Sequence, residues 1–310
     1  MGDRVRNKAI DWLVYAATRT FAGILHCFPI ALDLAAARGA GALLYRFDRK
    51  HRQRAIMNIR RSFPEFTQQQ AEAVAKRSMQ QLLMFGIEVF FTTRLVKLEN
   101  WPRHAEFENF QPVLDLLVRQ KTGVIMLTGH YGNWEILGYL LATLGFETTS
   151  VARPLDNEYL NRWVLQVREK QGQKIVAKKG ATDEVVQVLA DKGAVGLIAD
   201  QNAGHKGLFV DFFGRKASTY KSIGLLAMEY RVPVVIGYAR RTDKPFHFKV
   251  GAQDIIYPED WDAAENPLLY ITQRYTKAIE DLVRAEPSQY LWVHRRWKSR
   301  PKGEEPEPYD

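Results

Sequence analysis

His130 and Glu135 are the side chains whose types and spacing best suit acid–base chemistry in this chain of 310 residues. They lie in His130-Tyr131-Gly132-Asn133-Trp134-Glu135, which follows the apolar run Val124-Ile125-Met126-Leu127 and Gly129. An imidazole can take a proton near neutral pH, and a carboxylate beside it fixes the tautomer and stabilises the imidazolium. On one helix, five residues at about 100° each would set the two side chains about 140° apart. They meet only if His130 sits on a strand-to-helix loop and Glu135 in the first turn of the next helix. Gly129 and Gly132 permit a sharp turn and close approach of a substrate. Amides at the helix start then offer donors to an oxyanion. Spacing by itself leaves the ordinary alternative open: a polar loop histidine, and a glutamate favoured by the helix dipole.

Other chemistries are poorly served. No G-x-S-x-G elbow occurs, and the single cysteine, Cys27, lies in an apolar N-terminal segment. His205 and His247 are isolated, and no H-E-x-x-H or paired-cysteine pattern exists, so neither a metal nor a cofactor is expected. Asp200-Gln201 with Gly204 and Gly207 lacks the Walker spacing of a phosphate loop. The expectation is direct proton abstraction from an acceptor hydroxyl, without a covalent enzyme intermediate. One cysteine allows no internal disulfide, which fits a reducing compartment.

The elements that must position this pair read as an α/β fold, with a mainly parallel central sheet covered by helices. Ile10, Leu13, Val14, Ala17, Phe21, Ile24, Leu25 and Phe28 recur at helical spacing up to Pro29, which should end or kink the helix. A second helix is expected over Ile30–Tyr45. Thr67 and Gln70 form a capping-box pattern for a helix running to about Thr92. From about residue 120, strands and helices alternate. Strands are expected at Val124–Thr128, Glu147–Ala152, Lys174–Val176, Ala194–Ala199, Val232–Ala239 and Phe246–Val250. Helices are expected at Trp134–Leu144, Asn157–Gln171, Thr182–Lys192, Ser218–Tyr230 and Pro267–Ala285. That alternation points to a parallel sheet. The division follows: residues 1–45 as amphipathic helices, 46–300 as one α/β domain, and 301–310 as a loose tail.

The formal charge of +9 favours anionic partners. The longest charge-free run near the N-terminus, Thr20 to Leu32, has 13 residues, short of the roughly 20 that span a bilayer. The apolar stripe therefore packs on the core or lies in a membrane interface. Arg46, Arg49, Lys50, Arg52, Arg54, Arg60 and Arg61 follow it directly. Each cation near an anionic bilayer contributes about 1 kcal/mol, enough in sum for reversible docking.

Several ordered blocks carry a family resemblance. Gly129–Glu135 resembles the catalytic block of the lipid A late acyltransferases, the lauroyl/myristoyl transferase family within the lysophospholipid acyltransferase superfamily with its His-x4-Asp/Glu motif. Asn58–Glu65 resembles that family's Asn…Phe-Pro-Glu signature, and Ala152-Arg153-Pro154-Leu155 its Arg-Pro element. Asp200-Gln201 with Val210–Gly214 is similar to its Asp-Gln…Phe-Phe-Gly block, and Pro287–Lys298 to its C-terminal signature. The resemblance implies transfer of a fatty acyl group from acyl-acyl carrier protein or acyl-CoA to a hydroxyl of a glycolipid. Lipid A or a lipid A-like precursor is the first expectation, and another phospho- or glycolipid the alternative. It also implies a peripheral or monotopic enzyme on the cytoplasmic face of the inner membrane.

By the same resemblance His130 and Glu135 are the catalytic pair. Arg153, Asp200, Gln201, Asn133 and Arg168 are the candidate substrate contacts. Arg49, Lys50, Arg52, Arg54, Arg295, Arg296 and Lys298 are the candidate membrane or headgroup contacts. Two departures bear on the acceptor: Asp11, Arg19, Asp33 and Arg38 interrupt the anchor region, and Ser218–Ser222 differs from the small-residue pattern of lipid A enzymes. A rival reading takes His294, Arg295, Arg296, Lys298, Arg300 and Lys302, interleaved with Trp292 and Trp297, as a single-strand nucleic-acid site. Nucleic acid is not the expected partner. Hydrolysis of the donor and a catalytically silent membrane-binding protein are the other rivals.

Overall fold

Asn7 opens the first helix by accepting from the Ala9 amide at 3.0 Å, and α1 (Lys8–Leu25) follows. Pro29 precedes α2 (Ile30–Phe47), where its lack of an N–H costs nothing. Asp48 caps α3 (Arg49–Ser62) through the His51 amide. The expected Thr67–Gln70 capping box is present at the start of α4 (Gln68–Leu95). The computed structural model describes residues 7–169, 173–177 and 180–305. The expected helix end at Gln171 and the last five tail residues lie outside the described residues.

The α/β portion begins earlier than the sequence pattern suggests, with β1 (Ala105–Glu108) and α5 (Gln111–Arg119). Then come β2 (Val124–Thr128), α6 (Trp134–Thr143), β3 (Thr148–Ala152), α7 (Glu158–Glu169), β4 (Gln173–Ala177), α8 (Ala181–Ala190) and β5 (Ala194–Ile198). A hairpin of β6 (Leu208–Phe212) and β7 (Arg215–Thr219) leads to α9 (Ser222–Tyr230). The chain closes with β8 (Val234–Arg241), β9 (Phe248–Ile256), α10 (Pro258–Asp262) and α11 (Pro267–Ala285). Seven strands form one sheet in the order β1-β9-β8-β2-β5-β3-β4. The β8–β9 pairing is antiparallel and every other pairing in that sheet is parallel.

Alternation along the central strands sends side chains to two cores. Ile125, Leu127, Val234 and Ile236 pack with α8, α9 and α11 through Val185, Ile223 and Tyr275. Val124 and Val235 pack on the other face with α5 and α6 through Val113, Ile136 and Leu140. The sheet is therefore covered on both sides, as a parallel sheet requires. The helix expected from Ser218 begins instead at Ser222. Residues Arg215–Thr219 pair antiparallel with β6 across a two-residue turn. Phe213 and Gly214 occupy that turn with φ of 54° and 67°, the signature of a type I′ hairpin.

The C-terminal signature is mostly interior. Trp292 and Trp297 are buried among Phe63, Phe212 and Phe213, with Phe212 and Trp297 stacked at 5.6 Å. Asn58 donates to the carbonyls of Trp292 and His294, so blocks far apart in sequence meet in one cluster. This corrects two expected surface contacts. Arg296 is buried, bonded to the Ser218 carbonyl and the Thr219 hydroxyl. Arg54 is buried and donates to the Val293 carbonyl. Arg52 donates to the carbonyls of Tyr45 and Arg46 at the end of α2, while Arg49, Lys50 and Lys298 are exposed and Arg295 is half-buried. With both tryptophans inside, the segment lacks the stacking platform that single-strand binding needs.

Candidate active site

His130 sits on the loop between β2 and α6, where the strand-to-helix spacing requires it. Gly132 makes the loop possible: its φ is +60°, and a Cβ there would lie 2.0 Å from the Ala239 carbonyl oxygen. The loop is clamped from outside. Gly132 N donates to the Gln289 carbonyl, Asn133 N to the Ala239 carbonyl, and Leu291 N to the His130 carbonyl. The C-terminal signature thus lies against the loop as a short bridge, Tyr131 to Tyr290.

The carboxylate on His130 is that of Asp200, just after β5. Its Oδ1 lies 2.7 Å from His130 Nδ1, and its Oδ2 accepts the His130 amide at 2.8 Å. Burial works against the charged form of Asp200, yet the neighbouring His130 outweighs it and holds the carboxyl well below the usual carboxylate range. A carboxylate on Nδ1 assigns the proton there and leaves Nε2 as the base. Gln201 lies 3.4 Å from that Nε2. The rings of Trp134 and His294 pack on His130 at 4.9 and 4.6 Å.

Glu135 does not make the expected bond to the imidazole. It lies in the first turn of α6, as expected, but its two oxygens receive Arg168 Nε at 3.0 Å and Nη2 at 2.7 Å. A bidentate guanidinium satisfies a carboxylate more fully than one imidazole N–H. Glu135 and Arg168 are the charged walls of a cavity between the sheet and α6, otherwise lined by Met126, Trp134, Leu137, Leu141, Val235 and other mainly apolar residues. Trp134 joins that cavity to His130.

The remaining site residues divide. Gln201 and Asp200 meet at His130. Asn133 is fully buried: its Oδ1 caps α6 at the Ile136 amide and its Nδ2 donates to Glu88, so it supports the loop rather than facing a substrate. Arg153 is exposed on the turn after β3 and pairs with Asp156 at 3.6 Å. The loop amides expected at an oxyanion are also mostly engaged. Those of His130, Tyr131, Gly132 and Asn133 donate to Asp200, Gly129, Gln289 and Ala239. The amides of Trp134 and Glu135, at the open end of α6, are the first-turn donors with no intrahelical partner.

Sequence reasoning missed Glu88, Arg241 and Gln289. Glu88 receives Arg241 at 2.7 and 2.6 Å and Asn133 at 2.9 Å, while Gln289 bonds the Arg241 backbone in both directions. A charge inside the apolar stripe of α4 was the available signal for Glu88.

Comparison with known proteins identifies the family. The family model for bacterial lipid A biosynthesis acyltransferases matches residues 3–299. The chain belongs to that family. It is an O-acyltransferase. A lipid A biosynthesis acyltransferase of Shigella flexneri is 24% identical over 301 residues, covering 97% of this chain and 94% of that protein. The lipid A biosynthesis myristoyltransferase of Escherichia coli K12 is 25% identical over 299 residues, covering 94% and 89%. The E. coli lauroyltransferase is 24% identical over 275 residues, covering 86% and 85%. Among the described residues no helix is long and apolar enough to cross a membrane.

Proposed function

We propose that this acyltransferase moves a fatty acyl group from a thioester, acyl-acyl carrier protein or acyl-CoA, to a hydroxyl of lipid A or a lipid A-like precursor. The observation that carries this reading is the His130–Asp200 pair at the edge of an apolar cavity. In the reaction His130 Nε2 takes the proton of the acceptor hydroxyl, and Asp200 offsets the imidazolium charge. The oxygen attacks the thioester carbonyl carbon. The tetrahedral intermediate collapses, the C–S bond breaks, and the leaving thiolate takes the proton back from His130. The amides of Trp134 and Glu135 are the nearest helix-start donors for the oxyanion. The transferred chain lies in the apolar cavity, and Glu135 holds Arg168 at its wall.

Membrane docking is part of the same proposal. Trp12, Leu13, Phe21, Ile24, Phe28 and Leu32 on α1, α2 and their connection are 47–60% exposed, against the usual preference for burial. Such a face suits the bilayer interface, and the exposed Arg49 and Lys50 at the start of α3 are the cations proposed for anionic headgroups. Residues 1–45 would then dock the 46–300 body on the cytoplasmic face of the inner membrane. The test is mass spectrometry of lipids from cells lacking the protein and regaining it as wild type or as His130→Ala. Wild type should add one acyl chain to one glycolipid class and His130→Ala none. A normal product from His130→Ala overturns the mechanism, and a change in a lipid class other than lipid A overturns the acceptor.

A further inference from the structure

A second cavity lies on the other side of the Glu135–Arg168 pair. It is bounded by α1, α4 and α7, has a volume of about 490 Å³, and shares Glu135, Arg168 and Gln173 with the cavity near His130. Its walls are apolar in effect. Ala22, Val89, Phe90, Leu160, Trp163 and Val164 are among the residues that line it. The hydroxyls of Thr18 and Thr92 are engaged by the carbonyls of Val14 and Glu88 one turn back. Arg19 bonds the Tyr15 hydroxyl and lies over the Trp163 ring at 5.3 Å. Desolvation lowers the pKa of His26, favouring the neutral ring that packs on Phe91. Glu135 and Arg168 neutralise each other at the boundary. Apolar cavities stay dry and take apolar guests, and about 150 Å³ is enough for benzene.

The outer edge of this cavity is α1, the helix that exposes Leu13, Phe21 and Ile24. An apolar path therefore runs from an exposed apolar helix, through a roomy apolar cleft, to the charged pair that borders the cavity near His130. We propose that the α1–α4–α7 cavity is a binding site for one hydrocarbon chain of a bilayer lipid, taken laterally past α1. This rests on the acyl-transfer reading only for its purpose, which is to bring a lipid substrate to His130 without leaving the bilayer. The occupancy itself is a property of the cavity.

Gly23 provides the test. It lines the cavity, and a Cβ built on it meets nothing within 4 Å, so a larger side chain enters open space while the helix gains propensity. Vesicles of phosphatidylglycerol and phosphatidylethanolamine, doped with a phosphatidylethanolamine carrying a mid-chain diazirine, are mixed with the full-length protein and irradiated. Peptide mapping should find label on Phe90, Trp163 and Val164. Gly23→Phe should lose that label, and the smaller Gly23→Leu should reduce it. Both should still float with the vesicles. Gly39→Phe, on α2 where an added Cβ also meets nothing, should label like wild type. Label confined to Leu13 and Ile24, or label on Phe90 and Val164 that survives Gly23→Phe, overturns the proposal. Failure of the acyl-transfer reading is separate: wild type would label the cavity yet transfer no acyl chain.

Discussion

Asp200 takes both hydrogen-bond donors that His130 turns toward it, the backbone amide at 2.8 Å and Nδ1 at 2.7 Å. One carboxylate therefore fixes the position of the loop and the tautomer of the ring together. Glu135, five residues from His130, is committed to Arg168 instead. The acid that orients the base comes from the end of a neighbouring strand, β5, paired in register with β2. Adjacent parallel strands deliver their C-terminal residues to the same edge of the sheet, which is where open α/β sheets place their sites.

Asp200→Asn should cost kcat about 10²–10⁴-fold, because an amide neither holds the Nδ1–H tautomer firmly nor offsets the imidazolium. The fold should survive, since Asn can still accept from the His130 amide. Steady-state acyl transfer, with near-UV circular dichroism as the folding control, decides it. Activity within a few fold of wild type would remove Asp200 from the mechanism.

Glu135→Gln should be impaired less than Asp200→Asn and should not be inactive. Its effect runs through Arg168, whose guanidinium would lose a charged bidentate partner at the cavity wall. Reversing the pair, Glu135→Arg with Arg168→Glu, should recover part of what either single change loses. A double-mutant cycle on KM measures this coupling. Strict additivity of the two changes would show that the pair has no joint role.

Much of the scaffold can be read from the chain because its signals are local. Val124–Thr128 is an apolar run closed by glycine, and Thr67 with Gln70 is a reciprocal cap; each is decided by nearby residues. The β6–β7 hairpin was hidden because Phe213 holds a positive φ that phenylalanine seldom adopts, so the turn carries no Asn-Gly signal. The Asp200 pairing is hidden for a different reason. It depends on the register of β2 against β5, and spacing along the chain carries no information about that register. The helix-period stripe of α1 is legible, but its exposure is not, because the same pattern serves a core and a membrane interface.

Glu88 and Arg241 form a buried pair, 1% and 6% exposed, and Asn133 is tied to it. Removing one member strands a charge, which costs about 3–5 kcal/mol. Arg241→Met should therefore lower the unfolding midpoint sharply. Replacing both, Glu88→Leu with Arg241→Met, should restore much of that stability, since no charge is left unpaired. It should not restore activity, because Asn133 Nδ2 loses its acceptor and the loop carrying His130 loses its backing. Thermal melts and transfer assays on the same three proteins separate the two effects. Full activity in the double variant would make the pair a stability element alone.

His294 packs edge-to-face on His130, and burial pushes its pKa from 6.5 down to about 4, with the nearby His130 acting in the same direction and Asp200 against it. A histidine that resists protonation when folded binds protons more readily when unfolded. Between pH 6.5 and about 4 the unfolded chain therefore holds more protons at this position, and acidification favours unfolding. The contribution is intact above pH 6.5 and is lost as pH falls toward 4. His294→Gln removes the titrating group while keeping a polar side chain of similar reach. Its unfolding midpoint should fall less steeply than that of wild type across this window, and the two should run parallel above pH 6.5. Urea melts at closely spaced pH values measure the difference in slope. Identical slopes would mean that the ring takes up its proton in the folded protein as easily as in the unfolded chain, and that its neighbours do not hold it neutral beside His130.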